Sequence, residues 1–380
     1  MPHVRGLTAW TVGMLLCGFA GAAPADEGAV EEGWLGRLTS RDTWTIHGFF
    51  TQAYAATDGS TFFGIPEEGT GNYQTMALQV SFLPSPRDTF VVQLDRETLG
   101  ESRLGELRGQ VEVDWAFYAR DLNDSLTLRA GRMPLPLGIF NEIRDVGTLL
   151  PFYRPPVALY LDGLFIAERI DGLQLGYRQD LGEWRMESFL YGGAWEVAEA
   201  PLYRGTGQPV RKKAQDVLGT QLWLGTPIDG LRLGMSYYQY SAELEDLAAE
   251  GEDRRQAWRL SADGDFGAWL LRGEYAAAQG RTGKGSGWYV QAGYRPTRRL
   301  GIYAEIQRAA LETRYRVGGS VERWPFHEEE SLSINVYLRP NWVVKAEYHW
   351  ATTTLVEEYE TAEDWPVDVG VGIVSLSFSF

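Results

Sequence analysis

An alternation of apolar and polar residues runs from residue 44 to residue 380 and constrains the fold more than any other feature of the chain. In the segment SLSINVYLRP (331–340), for example, leucine, isoleucine and valine alternate with serine, asparagine and tyrosine. A period of two is typical of β-strands that have one apolar face. About sixteen such segments can be assigned, and the apolar face of each is free of charged residues. The chain is therefore predicted to be all-β.

The connections between these segments alternate between short and long. Short turns at one end and long loops at the other are typical of an up-and-down barrel that crosses a membrane. Lipid offers no hydrogen-bond partners, so strands can cross a membrane only if a closed sheet pairs their backbone groups with one another. A cylinder of about sixteen strands is wide enough to enclose an aqueous channel. The predicted fold is a transmembrane antiparallel up-and-down β-barrel of about 16 strands with short periplasmic turns and long extracellular loops. The long connections are 55–72, 97–110, 134–168, 192–215, 241–254, 277–285, 308–328 and 351–366.

Composition supports this fold and excludes other classes of protein. The 380 residues include 44 glycines, 14 tryptophans, 19 tyrosines and 16 phenylalanines, a combination that favours many strands. The net charge of −16 argues against a nucleic-acid partner, because the surface that binds nucleic acid is basic. No apolar run after the N-terminal region is long enough for a membrane-spanning helix, which excludes a helical membrane protein.

Residues 1–25 have the pattern of a secretory signal peptide. Arg5 precedes an apolar stretch, small residues follow it, and cleavage is predicted after Ala22 or Ala25. The single cysteine, Cys17, follows a leucine inside the apolar stretch, which argues against a lipoprotein signal. The mature protein is therefore expected to be exported and to contain no disulfide.

The remaining chain is predicted to form two parts. Residues 26–43 are polar and acidic and are expected to be a short periplasmic N-terminal extension. Residues 44–380 carry the alternation and are expected to form the barrel. In the fourth segment the predicted outward residues are Val111, Val113, Trp115, Phe117 and Ala119.

Over residues 44–380 the chain resembles the Gram-negative outer-membrane porins. The last segment, VGIVSLSFSF, ends in Phe380 and is similar to the terminal-phenylalanine signal that the outer-membrane assembly machinery reads in this class. The first segment, WTIHGFFTQAY, is similar to the opening strand of many porins. The segment RAGRMPLPLGIFNEIRD (129–145) is similar to the one that leaves the fifth strand in porins of the phosphate-selective O and P type. This resemblance implies a location in the outer membrane and a homotrimer.

The resemblance also implies that the loop 134–168 folds into the lumen and forms the constriction. Its prolines fix the backbone angle φ and stiffen the loop, and its apolar residues can be buried. Charged groups at a constriction determine which ions exchange their hydration shell there. An alternative is that Arg144 and Asp145 simply pair on an outside surface. The charged candidates in the loop are Glu142, Arg144, Asp145 and Arg154.

Charged residues on the predicted inward faces are nearly balanced in sign. The basic ones suggest a weak anion preference, unless each arginine is paired with a neighbouring carboxylate and selects nothing. A cation preference would instead point to Asp95, Glu112 and Asp114. The arginines predicted to line the pore are Arg120, Arg129, Arg178, Arg232, Arg259 and Arg272.

Two segments, 243–253 and 357–364, are rich in acidic residues. Carboxylate clusters can bind calcium or magnesium, but neither segment has the spacing of an EF-hand. The favoured interpretation is therefore solvated charge beside lipopolysaccharide. The basic run 211–213 could contact lipid phosphates or serve solubility. No phosphate loop, zinc-protease motif or histidine beside a serine in a recognisable setting is present. No metal or cofactor is therefore expected.

The leading functional prediction is a passive diffusion channel for small hydrophilic or ionic solutes in the outer membrane of a Gram-negative bacterium. The alternatives are a barrel enzyme of the lipase or protease type and an occluded structural barrel. The expected partners are outer-membrane lipid and lipopolysaccharide, the assembly machinery, small solutes or ions, and two further copies of the chain.

Overall fold

The computed structural model describes residues 43–102, 109–161, 165, 167–199, 210–243, 252–281, 283–314, 321–356 and 366–380. The described residues form a closed barrel of sixteen strands. Every strand pairs antiparallel with its neighbours in the chain, and β1 pairs with β16 to close the cylinder. The predicted all-β, sixteen-strand, up-and-down barrel is confirmed. No helix in the described part of the chain is both long and apolar enough to cross a membrane.

Strand bounds follow the alternation seen in the sequence, with extensions at the end that carries the long loops. The strands are β1 (Trp44–Thr57), β2 (Thr70–Ser85), β3 (Asp88–Leu99), β4 (Glu112–Asp121), β5 (Leu126–Pro134), β6 (Arg169–Leu181), β7 (Trp184–Glu199), β8 (Val210–Gly225), β9 (Leu231–Glu243), β10 (Glu252–Asp265), β11 (Trp269–Gln279), β12 (Gly283–Thr297), β13 (Leu300–Arg314), β14 (Val321–Arg339), β15 (Trp342–Thr353) and β16 (Val367–Ser379).

Several predicted long loops are shorter than expected. The segment 277–285 was predicted as a loop, yet β11 runs to Gln279 and β12 begins at Gly283. Much of 308–328 likewise belongs to β13 and β14. Backbone pairing continues beyond the apolar band, where both faces of a strand can be polar and the alternation disappears. The sequence pattern therefore marks the apolar band rather than the whole strand.

The apolar face of the barrel points outward. Leu173 is 57% exposed and Leu271 is 51% exposed, whereas the alternating polar residues lie inside and are largely buried. The predicted outward faces are confirmed for most strands by this pattern of exposure.

In β4 the predicted outward face is wrong beyond Val113. The pairing of β3 with β4 shifts at this point, because Leu94 pairs with Val113 while Gln93 pairs with Trp115. The extra residue, Asp114, forms a bulge, and a bulge reverses the side to which the following residues point. Trp115, Phe117 and Ala119 consequently face the interior.

The reversal moves Arg120 out of the predicted pore lining. Arg120 pairs across the sheet with the outward Leu128 and lies beside Asp88, at an Nη1–Oδ1 distance of 3.0 Å. Its side chain is 53% exposed on the outer face near the short turns. The prediction that Arg120 lines the lumen is therefore wrong.

The first strand and the end of the chain meet where the barrel closes. Phe380 exchanges two backbone hydrogen bonds with Gly48, at 3.0 and 3.1 Å. Its ring is 60% exposed and covers Gly48, where a larger residue would overlap it. The role of Phe380 as an assembly signal stays a prediction.

Candidate functional site

The connection between β5 and β6 lies inside the barrel rather than outside it. Its apolar side chains are buried, among them Leu135, Phe140 and Phe152, each no more than 2% exposed. They pack with residues of the inner wall in one cluster and with Leu270 and Tyr303 in another. A short α-helix, α1 (Val157–Tyr160), continues the segment against the wall. We call residues 135–161 the inner loop.

Polar side chains of the wall bind the backbone of the inner loop. Loop backbone groups enclosed in a barrel need partners, because an unpaired buried N–H or C=O group is costly. The wall supplies them from six strands, and the loop is thereby anchored along β8–β16. The bonds are Gln221 to Gly138 O (3.4 Å), Ile139 N to Glu274 (3.1 Å), Asn335 to Pro151 O (3.0 Å), Lys345 to Phe152 O (2.8 Å), Tyr153 N to Glu347 (2.9 Å), Ala158 N to Gln307 (2.8 Å) and Arg259 to Leu159 O (3.0 Å). A side-chain bond from Thr148 to Ser379 on β16 adds a further contact (3.2 Å).

Arg259 and Glu274 form the first anchor of the loop. Arg259 is 2% exposed, and its Nη1 atom lies 3.6 Å from Glu274 Oε2. Glu274 also accepts hydrogen bonds from the Tyr160 hydroxyl and from the Ile139 backbone N–H. Gly138 has φ = +68°, and a Cβ atom there would overlap the Arg259 guanidinium. The anchor therefore requires glycine at this position.

A second anchor surrounds His349 on β15. Its Nδ1 lies 2.9 Å from Glu329 Oε1, and its Nε2 lies 3.1 Å from Glu347 Oε2. Glu347 in turn accepts the Tyr153 backbone N–H, so the histidine orients a carboxylate that holds the loop. The sequence analysis placed these side chains inside the barrel but did not find the cluster. The alternation of residues on one strand reveals a face, not the partners on neighbouring strands.

The same cluster includes Ser331, whose Oγ lies 2.9 Å from His349 Nδ1. This contact resembles the catalytic serine–histidine pair of a hydrolase, but its surroundings disfavour that activity. Both ring nitrogens face carboxylates, so both are expected to donate protons, which leaves no basic nitrogen to activate the serine. Ser331 is 2% exposed, and the Phe152 ring lies 5.8 Å from the His349 ring. The cluster is positioned to hold the loop rather than to receive a substrate.

On its other side the inner loop presents charged groups toward β3–β7. Glu142, Arg144 and Asp145 are all partly exposed. Electrostatic neighbours of Asp145 include Glu97 on β3 and Asp114 on β4. Their partial exposure indicates open space between the loop and the wall of β3–β7, and we call this space the gap.

The charges that border this gap are predominantly acidic near Asp145. Asp114 is 1% exposed, accepts a hydrogen bond from Gln93 at 2.7 Å, and lies 3.2 Å from Arg169. Among the described residues, six carboxylates and two arginines interact in this region. They are Asp95, Glu97, Glu112, Asp114, Asp145, Glu168, Arg144 and Arg169.

Seclusion inside the barrel raises the pKa of the Asp145 carboxyl well above its usual range, and the neighbouring Glu168 carboxylate raises it further. Burial also raises the pKa of Glu142, against the attraction of the Arg129 and Arg232 guanidinium groups. Both groups are in the loop and border the gap, so its charge is expected to change with pH.

Most of the predicted pore arginines are paired with carboxylates. Arg178 Nε lies 3.3 Å from Glu187. Arg232 and Arg272 share Asp263, at 2.9 and 2.7 Å. These contacts correspond to the alternative in which each arginine is paired locally.

Arg129 and Arg154 have aromatic neighbours. Arg129 is 6% exposed and lies over the Phe117 ring at 5.7 Å from its centroid. Arg154, in the inner loop, lies 4.3 Å from the Phe63 ring centroid and 5.2 Å from that of Phe62. Phe62 and Phe63 belong to the connection between β1 and β2, so Arg154 joins two loops.

Parts of the sequence analysis lie outside the described residues. These parts are the signal peptide 1–25, the extension 26–42, most of the acidic segment 243–253 and the segment 357–364. The side chains of residues 211 and 212 are also outside the description.

No family model and no curated protein match the chain. Solved structures that match it are outer-membrane barrels. OmpF of Salmonella typhi, in a complex with daunomycin, is 13% identical with a TM-score of 0.61, over 89% of this chain and 97% of that chain. The chain has the porin fold.

Two further matches have the same architecture. The anion-selective porin of Comamonas acidovorans is 12% identical with a TM-score of 0.52, over 89% of this chain and 99% of that chain. In-vitro folded OmpT, an outer membrane protein of Vibrio cholerae, matches in its trimer form at 11% identity with a TM-score of 0.53, over 89% of this chain and 99% of that chain. At these identities the matches establish the fold.

Proposed function

We propose that the chain is an outer-membrane porin, a water-filled channel for the passive diffusion of small hydrophilic or ionic solutes. The observation that carries this proposal is the asymmetric position of the inner loop. Its backbone is anchored to β8–β16, while its charged side chains face β3–β7. A loop held in this way narrows the channel without filling it and places fixed charges beside the solute path.

Small cations are the solutes that this gap favours. The six carboxylates around Asp145 outnumber the two arginines near them. Among the inward arginines that suggested an anion preference, Arg178 and Arg259 each lie beside one carboxylate. Arg232 and Arg272 share a single carboxylate, Asp263, which leaves one positive charge in that group. Where these carboxylates are ionised, the negative field at a narrow passage raises the local concentration of cations. The similarity of residues 129–145 to phosphate-selective porins stays a prediction that these contacts do not favour.

The location and the partners belong to the same proposal. The outward apolar face suits the outer membrane, and the trimeric form of a matching barrel supports a homotrimer. Lipopolysaccharide is expected to contact an outer-face recess of about 370 Å³, which Tyr237, Trp258 and Tyr275 line with Lys284 at its polar rim. Aromatic rings beside polar groups are typical of the membrane interface.

A planar lipid bilayer tests the channel. Purified, heat-modifiable protein should give stepwise conductance, and the reversal potential across a salt gradient should show a cation preference. An anion preference would overturn the selectivity and direct attention to Arg129 and Arg178. A correctly folded barrel that does not conduct would overturn the channel and favour an occluded structural barrel.

A further inference from the structure

The connection between β1 and β2 folds into the mouth of the barrel instead of extending from its rim. A connection between two neighbouring strands normally lies on the surface and is exposed. Here Phe62 and Ile65 are both 0% exposed, whereas Glu67 and Glu68, which follow them, are exposed. We call residues 58–69 the entrance loop.

The entrance loop contacts strands on both sides of β1 and β2. On one side, the Glu101 backbone N–H, just beyond the end of β3, donates a hydrogen bond to the Gly64 carbonyl oxygen at 2.9 Å. On the other side, Phe62 forms an isolated antiparallel bridge with Val356, which follows β15. The Phe62 ring also stacks on the His327 ring of β14, with 6.1 Å between the centroids. The loop therefore reaches across the mouth over six neighbouring strands, β14–β16 and β1–β3.

The inner wall is apolar where the entrance loop lies. On β16, Val371 and Ile373 point inward and are 0% and 1% exposed, whereas Ser375 continues the same face toward the short turns. Ala55 on β1 is 0% exposed, and these apolar residues belong to one buried cluster with Phe62. The interior face of a water-filled barrel is normally polar. An apolar section of that face therefore indicates a wall that another segment covers.

Arg154 joins the entrance loop to the inner loop. Its guanidinium lies 4.3 Å from the Phe63 ring centroid and 5.2 Å from that of Phe62. Two of its nitrogen atoms, Nε and Nη2, are buried without a hydrogen-bond partner in the described part of the chain. A cation over an aromatic face is attracted by the ring, so the two rings fix this side chain.

The turn that carries the rings has a strained backbone. Phe63 has φ = +50°, an angle that residues other than glycine rarely adopt. Such a conformation persists only where the surrounding contacts hold it. The next residue, Gly64, has φ = +72°, and a Cβ atom there would overlap the Leu99 carbonyl oxygen. Loss of the Arg154 contact should therefore release the turn from its position.

We infer that the entrance loop is a second constriction of the channel and that Arg154 is its positioning residue. The inner loop narrows the lumen, and the entrance loop narrows the mouth on the side of β14–β16 and β1–β3. Solutes are thereby directed to the other side of the mouth, where the gap lies between the inner loop and β3–β7. This inference rests on the proposed channel, but the position of the loop can be tested without conduction.

Thiol labelling tests the position of the entrance loop. Val371→Cys places a thiol on the covered wall, in a Cys17→Ser background, and is combined with Arg154, Arg154→Ala or Arg154→Lys. Heat-modifiable protein in lipid vesicles is treated with a small maleimide, because labelling of a buried thiol follows the population of locally open states. Arg154→Ala should label about tenfold faster than the protein with Arg154, and Arg154→Lys, which keeps a cation over the rings, should restore protection. Equal rates with arginine and alanine would overturn the inference.

Phe63→Leu is a second variant that removes the contact from its other partner. It keeps an apolar side chain but has no aromatic face, so its thiol at position 371 should label as fast as in Arg154→Ala. If one variant loses heat modifiability, the other decides. Full protection in a folded Phe63→Leu barrel would overturn the role of the cation–ring contact.

Planar-bilayer recordings with neutral polymers of graded size test the constriction itself. Arg154→Ala and Phe63→Leu should both raise the single-channel conductance and admit larger polymers, and Arg154→Lys should not. Phe63→Leu leaves the charge of the lumen unchanged, so a larger conductance in this variant reports width rather than electrostatics. An unchanged size limit in a variant whose thiol has become accessible would overturn the inference. A protected thiol in a folded barrel that never conducts would instead refute the proposed channel.

Discussion

The two sides of the inner wall use charged residues in different ways. On β8–β16, Arg259, Lys345 and Glu347 are buried and bind the inner loop. On β3–β6, residues such as Glu97 and Glu112 remain partly exposed and border the gap. The first group fixes where the loop lies, and the second sets the field that a solute meets. The comparison teaches that an inward charge in a barrel is not by itself part of the solute path.

Loss of the Arg259 anchor should have the largest effect. Arg259→Leu leaves Glu274 buried without its cationic partner, which typically costs about 3–5 kcal/mol. We expect a lower thermal midpoint in heat-modification experiments and noisy conductance from a loosened loop. The control is Arg185→Leu, because the Arg185–Asp180 pair is exposed and is worth about 0–1 kcal/mol. Equal effects of the two variants would contradict the anchoring role.

Gly138→Ala should have the second-largest effect. The positive φ of Gly138 strains any other residue by about 1–3 kcal/mol, and the added Cβ would also overlap the Arg259 guanidinium. Gly182 provides a matched control, since its φ is +67° and nothing lies within 4 Å of the added atom. Both variants should lower the thermal midpoint, but only Gly138→Ala should change the conductance. Identical conductance in both would show that the loop tolerates the displacement.

The sequence predicted the strands more fully than the partners of their side chains. The alternation placed Arg259 and His349 inside the barrel, but the groups they contact come from distant parts of the chain. Arg120 was assigned to the wrong face because the bulge at Asp114 leaves no mark in the spacing of apolar residues. The prolines and apolar residues of the inner loop did indicate that it could be buried, and Leu135 and Phe140 are.

Neutral variants of the gap test its selectivity. Asp145→Asn with Glu168→Gln removes two carboxyl groups that face the solute path. At a pH high enough to ionise Asp145, the ratio of cation to anion permeability should fall about threefold. Reversal potentials across a potassium chloride gradient measure this ratio. Asp180→Asn is the control, because Asp180 is exposed beside the short turn. An equal shift in the control would assign the selectivity to general surface charge.

The pH dependence of the same ratio should give the smallest effect. Because the pKa of Asp145 is raised, its carboxyl binds a proton at a higher pH than exposed carboxyls do. Lowering the pH should therefore remove its negative charge, and part of the cation preference, while exposed carboxylates remain ionised. Reversal potentials measured from mildly alkaline to mildly acidic pH should show this decline in the unmodified protein. The decline should be weaker in Asp145→Asn, which has no proton to gain at this position. A decline of the same size in the variant would assign the titration to other carboxyls, with Glu142 the first to examine, because its pKa is also raised.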